Sequence, residues 1–482
     1  MSTIRFAVIF SSLTKYSVML IGLVSTMVVA RLLTPEEVGT FALASAVVML
    51  ISEFRILGAG AYLVRESDLT AQKVRSALGL TILISWGLGV AVCLSAPYVA
   101  AFYDLPPIKS IFWILSVSFF LAPFISIASA LLARTFSFNL QFRMQVVGAL
   151  VTLAVTVGLI YAGASFYSMA WGQTAGNVAR FLVVVLMLRP EQMSYRPLFS
   201  GLKPVLSLGI YSSVANILRR STVVAPDLVI GKMGTTHEVG IFSRGLGFIQ
   251  FVADSLMMSV APVSLPYLSS TRREGGDVPS AYQRASVLLG GILWPVLVVA
   301  SLSSLPAIRL FFGDQWDAAA PLAAWLALWA ALRSVHWFSN DLLLATHREK
   351  LVVVKEVVVF SVLLVGIVIA YQGGLERIAQ VFVGVGLFEV ILITGMLRAL
   401  GGLRFRDFVR AFLPNLFVAA LCAGATAGLR YWIDFEASEP WKPILALALV
   451  MPPVWLGSLW ALKHPLFGEI AALLPWLRRR AK

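Results

Sequence analysis

Two adjacent arginines, Arg219 and Arg220, stand in the middle of an otherwise apolar stretch running from 204 to 233. Ser212, Asn216 and Arg220 recur every four residues, and Asp227 continues the stripe beyond Val223. In a helix that spacing puts them on one face. A guanidinium is a planar fork whose donors match phosphate or carboxylate oxygens in pairs. A second polar stripe, Arg333, His336 and Asn340, has helical spacing inside another apolar run, and Arg244 is a further cation in such a run. Asp227, Asp254 and Glu53 are carboxylates at comparable depth and are candidates for coupling to an ion.

Arg55, Arg180, Arg219, Arg220, Arg244 and Arg333 all fall within predicted helices. At a lipid-facing helix centre each costs about 2.5–3.5 kcal/mol, together roughly 15–20 kcal/mol. A protein's usual net stability is only about 5–15 kcal/mol. Most of the six must therefore face a hydrated cavity or a carboxylate. Arg55 and Arg180 lie toward helix ends and can snorkel. For the others the alternative to a ligand is internal pairing with Glu53, Asp227, Asp254, Asp341, Glu356 or Glu389. Trp171, Trp325, Trp329 and Trp337 offer faces to sugar rings, though packing is the commoner fate of such residues. His336 reads first as a hydrogen-bonded core histidine and second as a proton carrier. No metal-ligand spacing, phosphate loop or nucleophile elbow occurs, so no cofactor is implied.

The elements that position these residues follow from composition. The chain of 482 residues is 59% hydrophobic and only 13% charged, with mean hydropathy +0.87. A soluble chain is about 45–50% apolar and about 25% charged, so this is an all-α polytopic membrane protein. A span needs about 20 apolar residues, which gives about 14 candidates: 11–33, 39–61, 76–101, 111–133, 146–162, 166–188, 204–233, 239–268, 285–311, 318–344, 351–371, 378–397, 412–433 and 443–462. The first reads as a retained helix, because Lys15 interrupts it and no cleavage site follows. Cys93 and Cys422 sit in apolar runs and read as small core residues.

Lys and Arg concentrate in alternate loops, which places both termini in the cytoplasm. The net charge of +14 then belongs to the anionic inner face of a membrane and calls for no nucleic acid. The basic tail 464–482 fits the same surface.

The chain also repeats itself. "TPEEVGTFALA" from Thr34 matches "TTHEVGIFSRG" from Thr235, pairing Glu37 with Glu238 and Gly39 with Gly240. Two further matches, "LLARTFSF" from Leu131 with "LLLATHRE" from Leu342 and "AAFYDLPP" with "RLFFGDQW", follow in order. A repeat spanning an even number of helices is parallel, its halves related by an axis along the membrane normal. This predicts an N-terminal six-helix lobe (1–195), a second six-helix lobe (196–400), two additional helices (401–463) and an amphipathic tail (464–482). Gly39 and Gly240 are expected to serve tight outer turns.

With "ARLLTPEEVGTFALASAVVMLISEF" at 30–54, "LGAGAYLVRESDL" after it and "FFGDQWDAAAPLAAWLAL" at 311–328, the chain resembles the Wzx-type polysaccharide flippases. These belong to the multidrug/oligosaccharidyl-lipid/polysaccharide exporter superfamily. The resemblance implies a bacterial cytoplasmic-membrane protein that moves undecaprenyl-diphosphate-linked glycan from the inner to the outer leaflet for surface polysaccharide assembly. It implies alternating access around a cationic cavity, with membrane lipids and polysaccharide polymerase machinery as neighbours. Arg55 departs from the uncharged residue that the resemblance leads one to expect there. A lipid II flippase of the same superfamily remains open, since its substrate carries the same diphosphate. A multidrug exporter calls for carboxylates in the first lobe, which offers only Glu53 at depth. A membrane polysaccharide polymerase calls for a large outer loop, and every connection here is short.

Overall fold

A computed structural model describes residues 2–56, 59–66, 68–188, 196–200, 210–257, 260–399, 405–436 and 439–473. Among the described residues the regular structure is entirely helical. The chain divides into two compact units, residues 1–243 and 244–482.

The first unit contains α1 (Ser2–Leu32), α2 (Pro35–Glu53), a 3-10 turn (Phe54–Ile56), α3 (Ala59–Arg65), α4 (Ala71–Phe102), α5 (Pro107–Arg134), α6 (Phe138–Tyr161), α7 (Tyr167–Met187) and α8 (Ile210–Met233). The division falls within α9 (Thr236–Met257). The second unit continues with α10 (Ala261–Arg273), α11 (Val278–Leu302), α12 (Ser304–Phe312), α13 (Ala319–Ser334), α14 (Ser339–Ala345), α15 (Glu349–Ala370) and α16 (Leu375–Ala399). It ends with α17 (Phe405–Trp432), α18 (Trp441–Ala461) and α19 (Pro465–Leu473).

Among the described residues ten helices are long and apolar enough to cross a membrane. The remaining four predicted spans are those with polar loads or breaks. α7 bears Gln173, Asn177 and Arg180, α8 bears both central arginines and Asp227, and α9 bears Arg244 and Asp254. α13 is only 16 residues long. Four stretches predicted as single helices, 39–61, 239–268, 285–311 and 318–344, are each divided in two. Apolar periodicity does not register such breaks, because the halves stay equally hydrophobic.

The repeated turns build two capping boxes. Thr34 Oγ1 accepts from the Glu37 amide at 3.3 Å, while Glu37 Oε2 accepts from the Thr34 amide at 2.9 Å. Thr235 and Glu238 repeat this at 3.2 and 2.8 Å. Each box satisfies helix N-terminal donors that nothing else in the helix reaches. Gly39 and Gly240, however, are helical rather than turn residues. They lie where α2 and α9 cross: a methyl group on Gly39 would overlap the Thr236 carbonyl oxygen, and one on Gly240 the Pro35 carbonyl oxygen. Close backbone approach, not a left-handed conformation, is what glycine supplies here.

Polar contacts sort the ends of the first unit. Arg75 Nε donates to the Arg196 carbonyl at 3.0 Å, and the Leu198 amide donates to the Arg75 carbonyl at 2.9 Å. Lys73 pairs with Glu66 at 2.9 Å, and Arg134 donates to the Leu63 and Glu66 carbonyls, closing the last turn of α3. At the other end of α4, Lys232 reaches Asp104 at 3.6 Å and the Phe102 carbonyl. Ser165 donates to Glu37. Within the second unit Arg272, on the last turn of α10, closes the end of α14 through the Ala345 carbonyl.

Candidate functional site

In the first unit the polar residues collect where α2 stops. Glu53 is the last residue of α2, and the chain passes through the 3-10 turn before α3 begins. A helix that breaks at depth exposes backbone groups and polar side chains that only protein or water can satisfy. α8 packs against α2 and carries Arg220 to this point. Arg220 Nε lies 3.5 Å from Glu53 Oε1, with the arginine side chain 43% exposed and the glutamate 16%. Arg55, on the turn itself, lies over the Phe119 ring at 5.8 Å from its centroid.

Arg219 is exposed and makes contacts of its own. Asp227, seven residues along α8, accepts from Ser243 Oγ at 2.6 Å and so ties α8 to α9. Ser212 and Asn216 lie on α8, outside the residues whose side chains are described. The predicted stripe is therefore seen only from Arg220 onward.

In the second unit one interrupted stretch, α13–α14, gathers polar side chains. Residues 335–338 are tightened by bonds from Val335 to Leu332, Trp337 to Ser334 and Ser339 to His336. His336 sits in this break, 3% exposed. Its Nδ1 is 2.7 Å from Tyr282 Oη and its Nε2 is 2.8 Å from Thr394 Oγ1. Thr394 already donates to the Val390 carbonyl at 2.7 Å, so Nε2 carries the proton and Nδ1 accepts from Tyr282. The imidazole stacks on Phe408 at 5.0 Å and on Tyr282 at 6.2 Å. It is a core histidine with both nitrogens committed.

Asn340 turns away from Arg333 into a closed triangle. Its Oδ1 accepts from Lys355 Nζ at 2.7 Å, its Nδ2 donates to Glu356 Oε1 at 3.1 Å, and Lys355 pairs with Glu356 at 2.9 Å. Both charged members are buried. Glu389 on α16 is also buried, close enough to feel Arg333 and Lys355. The adjacent Lys355–Glu356 in "LVVVKEVVVF" is the signal that could have marked this network, because an unpaired lysine has no reason to interrupt so apolar a helix.

Arg333 lies over Trp329 at 5.3 Å, and Trp329 packs edge-on to Phe382 at 5.0 Å. Trp325 donates to Glu376 at 2.9 Å, whereas Trp171 is exposed. Arg244 is held between Phe312 and Trp316, 4.9 and 4.6 Å from their centroids, with its Nε unbonded. Such cation–π seats hold a guanidinium without neutralising it. Asp254 is exposed on α9 and has contacts of its own. No cluster of three or more metal-ligand side chains occurs among the described residues.

Of the candidate residues, the structure thus brings Arg220 and Glu53 together, and separately gathers Asn340, His336 and Arg333 around one break. Arg220 is the arginine whose guanidinium combines substantial exposure with a carboxylate behind it. That arrangement can receive an anion.

Residues 28–321 match a family described as polysaccharide biosynthesis protein. Among curated proteins, the chain is 20% identical over 299 residues to the teichuronic acid biosynthesis protein TuaB of Bacillus subtilis (strain 168), covering 61% of each chain. It is 23% identical over 329 residues to the succinoglycan biosynthesis transport protein ExoT of Rhizobium meliloti (strain 1021), covering 66% of this chain and 64% of that one. The chain therefore matches less than two thirds of the length of these two relatives. The lipopolysaccharide biosynthesis protein WzxC of Escherichia coli (strain K12) is 20% identical over 339 residues, covering 68% of this chain and 67% of that one. In fold the chain is similar to an inward closed conformation of the lipid II flippase MurJ, with TM-score 0.74 at 14% identity over 94% of this chain and 98% of that one. It is also similar to an inward-facing multidrug resistance MATE family transporter, with TM-score 0.65 at 15% identity over 82% and 99% of the two chains.

Proposed function

The chain belongs to the polysaccharide biosynthesis protein family, and on that premise we propose that it is a flippase for undecaprenyl-diphosphate-linked oligosaccharide. It carries the glycan from the inner to the outer leaflet of a bacterial cytoplasmic membrane, by alternating access of two six-helix lobes around a cationic cavity. Its product feeds surface polysaccharide assembly, and it performs no covalent chemistry of its own. The observation that carries this reading is Arg220: a half-exposed guanidinium at the break after α2, with Glu53 nearest to its Nε. Its terminal amino groups are the pair that binds phosphate oxygens in parallel.

Arg219, Arg333 and Arg244 are assigned as helpers that keep the path cationic. Asp227 and Asp254 remain the proposed ion-coupling carboxylates. The likeness to MurJ supports a second reading, a lipid II flippase, whose substrate shares the diphosphate. The two readings separate on the glycan that accumulates in the inner leaflet when the gene is deleted.

Arg220→Gln tests the assignment directly. The variant should reach the membrane at normal abundance and lose export of surface polysaccharide. Arg220→Lys should keep part of the activity, because an ammonium retains the charge but not the fork. Normal export per unit of membrane protein in Arg220→Gln would remove Arg220 from the site.

A further inference from the structure

Glu53 stands against Arg220 in a way that neither a structural ion pair nor a bystander requires. The closest approach is 3.5 Å, at Nε, longer than a strong charge-assisted bond of about 2.7–2.9 Å. Among the described residues it is the one polar contact of the Arg220 guanidinium, so both terminal amino groups are uncommitted. Glu53 is mostly buried while Arg220 is not, which places the carboxylate behind the cation rather than beside it. The position is also electrostatically awkward for a carboxylate. Glu53 closes the C-terminal end of α2, where the unpaired carbonyls already make the negative pole of the helix. A carboxylate there gains from any cation in reach. Arg220 is held at contact, and Arg55, two residues further on, acts on it from the turn.

We propose that Glu53 is a resident counter-ion, occupying Arg220 when no substrate is bound and competing with the diphosphate for it. Resting on the flippase reading above, this makes Glu53 a positioning residue that regulates the same site. A phosphate that approaches the exposed edge of Arg220 meets a guanidinium already partly neutralised from behind. It also feels the repulsion of a like charge at close range. Both effects weaken the hold on the ligand. A carrier gains from this, since a diphosphate clamped by an unopposed guanidinium would leave slowly. When the ligand departs, Glu53 returns to contact and the arginine is never left bare at depth. The device needs no movement beyond a side-chain shift at the end of α2.

The test is the affinity of the full chain in nanodiscs for undecaprenyl diphosphate without sugars, measured on the monodisperse fraction of each variant. Glu53→Gln should bind about fivefold more tightly than the native protein, the factor lost with the competition of a partly exposed ion pair. Glu53→Asp, which draws the charge back by a methylene, should fall between the two and serves if the glutamine variant does not fold. In an Arg220→Gln background the Glu53 substitutions should change nothing further, whereas a merely structural glutamate would alter affinity in either background. Native or weaker affinity in folded Glu53→Gln and Glu53→Asp would overturn the counter-ion role. If Arg220→Gln itself binds as tightly as the native chain, the diphosphate assignment fails first, and that result is distinct from the other.

Discussion

Lys355 shows how a charge inside an apolar helix can be held by its neighbours. Its ammonium has the Asn340 and Glu356 oxygens at 2.7 and 2.9 Å, and all three side chains point at one another. Removing one member of such a pair strands the other. Lys355→Met should therefore cost about 3–5 kcal/mol of stability, read as a drop in thermal unfolding temperature and in folded yield. Adding Glu356→Leu should restore most of it, since an apolar pair of similar volume tolerates the site. A single variant that melts like the native chain would show that the triangle holds nothing together. The contrast with Arg220 was only half legible in the sequence. Helical spacing singles out Arg220, Arg333, His336 and Asn340, and the cost of burial says that most of the arginines need a partner. Which partner is a matter of tertiary contact. Glu53 meets Arg220 from a helix far away in the chain, and Asn340 leaves its stripe because the helix beneath it breaks.

Breaks are the theme at the level of elements. Hydropathy placed the apolar stretches well, because lipid exposure demands them whatever the local backbone does. It read α2 with α3, α9 with α10, α11 with α12 and α13 with α14 as unbroken, since an interruption of a few residues leaves the composition unchanged. The repeated turn was legible as a repeat, and its capping boxes follow from Thr and Glu at the right spacing. The crossing of its two copies was not, because a glycine that admits a neighbouring backbone looks like a glycine that turns. Gly39→Ala and Gly240→Ala should each part the crossing and each destabilise by about 1–3 kcal/mol, the usual cost of overpacking. The double variant should fall short of the sum, because one intrusion already opens the gap the second would need. Gly22, where an added methyl group would meet nothing within 4 Å, is the control and should tolerate alanine. Thermal unfolding of the extracted proteins decides the matter, and strict additivity would mean that the two glycines act apart.

Sidedness belongs to the whole molecule. The contacts among Glu66, Lys73, Arg75, Arg134 and Arg196 gather at one end of α4, and those of Asp104 and Lys232 at the other. From the alternation of Lys and Arg, the first end is expected to face the cytoplasm. Reporter fusions at Asp68, Arg196 and Arg404 should accordingly read cytoplasmic, and those at Glu37, Glu238 and Glu436 external. Glu37 and Glu238 reporting from opposite sides would break the parallel repeat. The membrane class was legible from composition alone, because 59% apolar residues cannot be hidden inside a soluble core of this size. The proposed glycan is written in no local pattern, since many sugars present similar hydroxyl surfaces to a protein.

The crossing at Gly39 and Gly240 has the form of an isologous interface. Gly39 meets Thr236, Gly240 meets Pro35, and under the repeat Pro35 is the counterpart of Thr236. One patch docks on its own copy, as the subunits of a two-fold homodimer do. Within a single chain the two copies are free to differ, since a substitution in one does not appear in the other. The patch must stay self-complementary, while the helices leading away from it are at liberty to diverge. The helices leading away do differ, α8 carrying Arg219, Arg220 and Asp227 where α1 has Val18, Met19 and Thr26: an asymmetric polar load beside a symmetric joint.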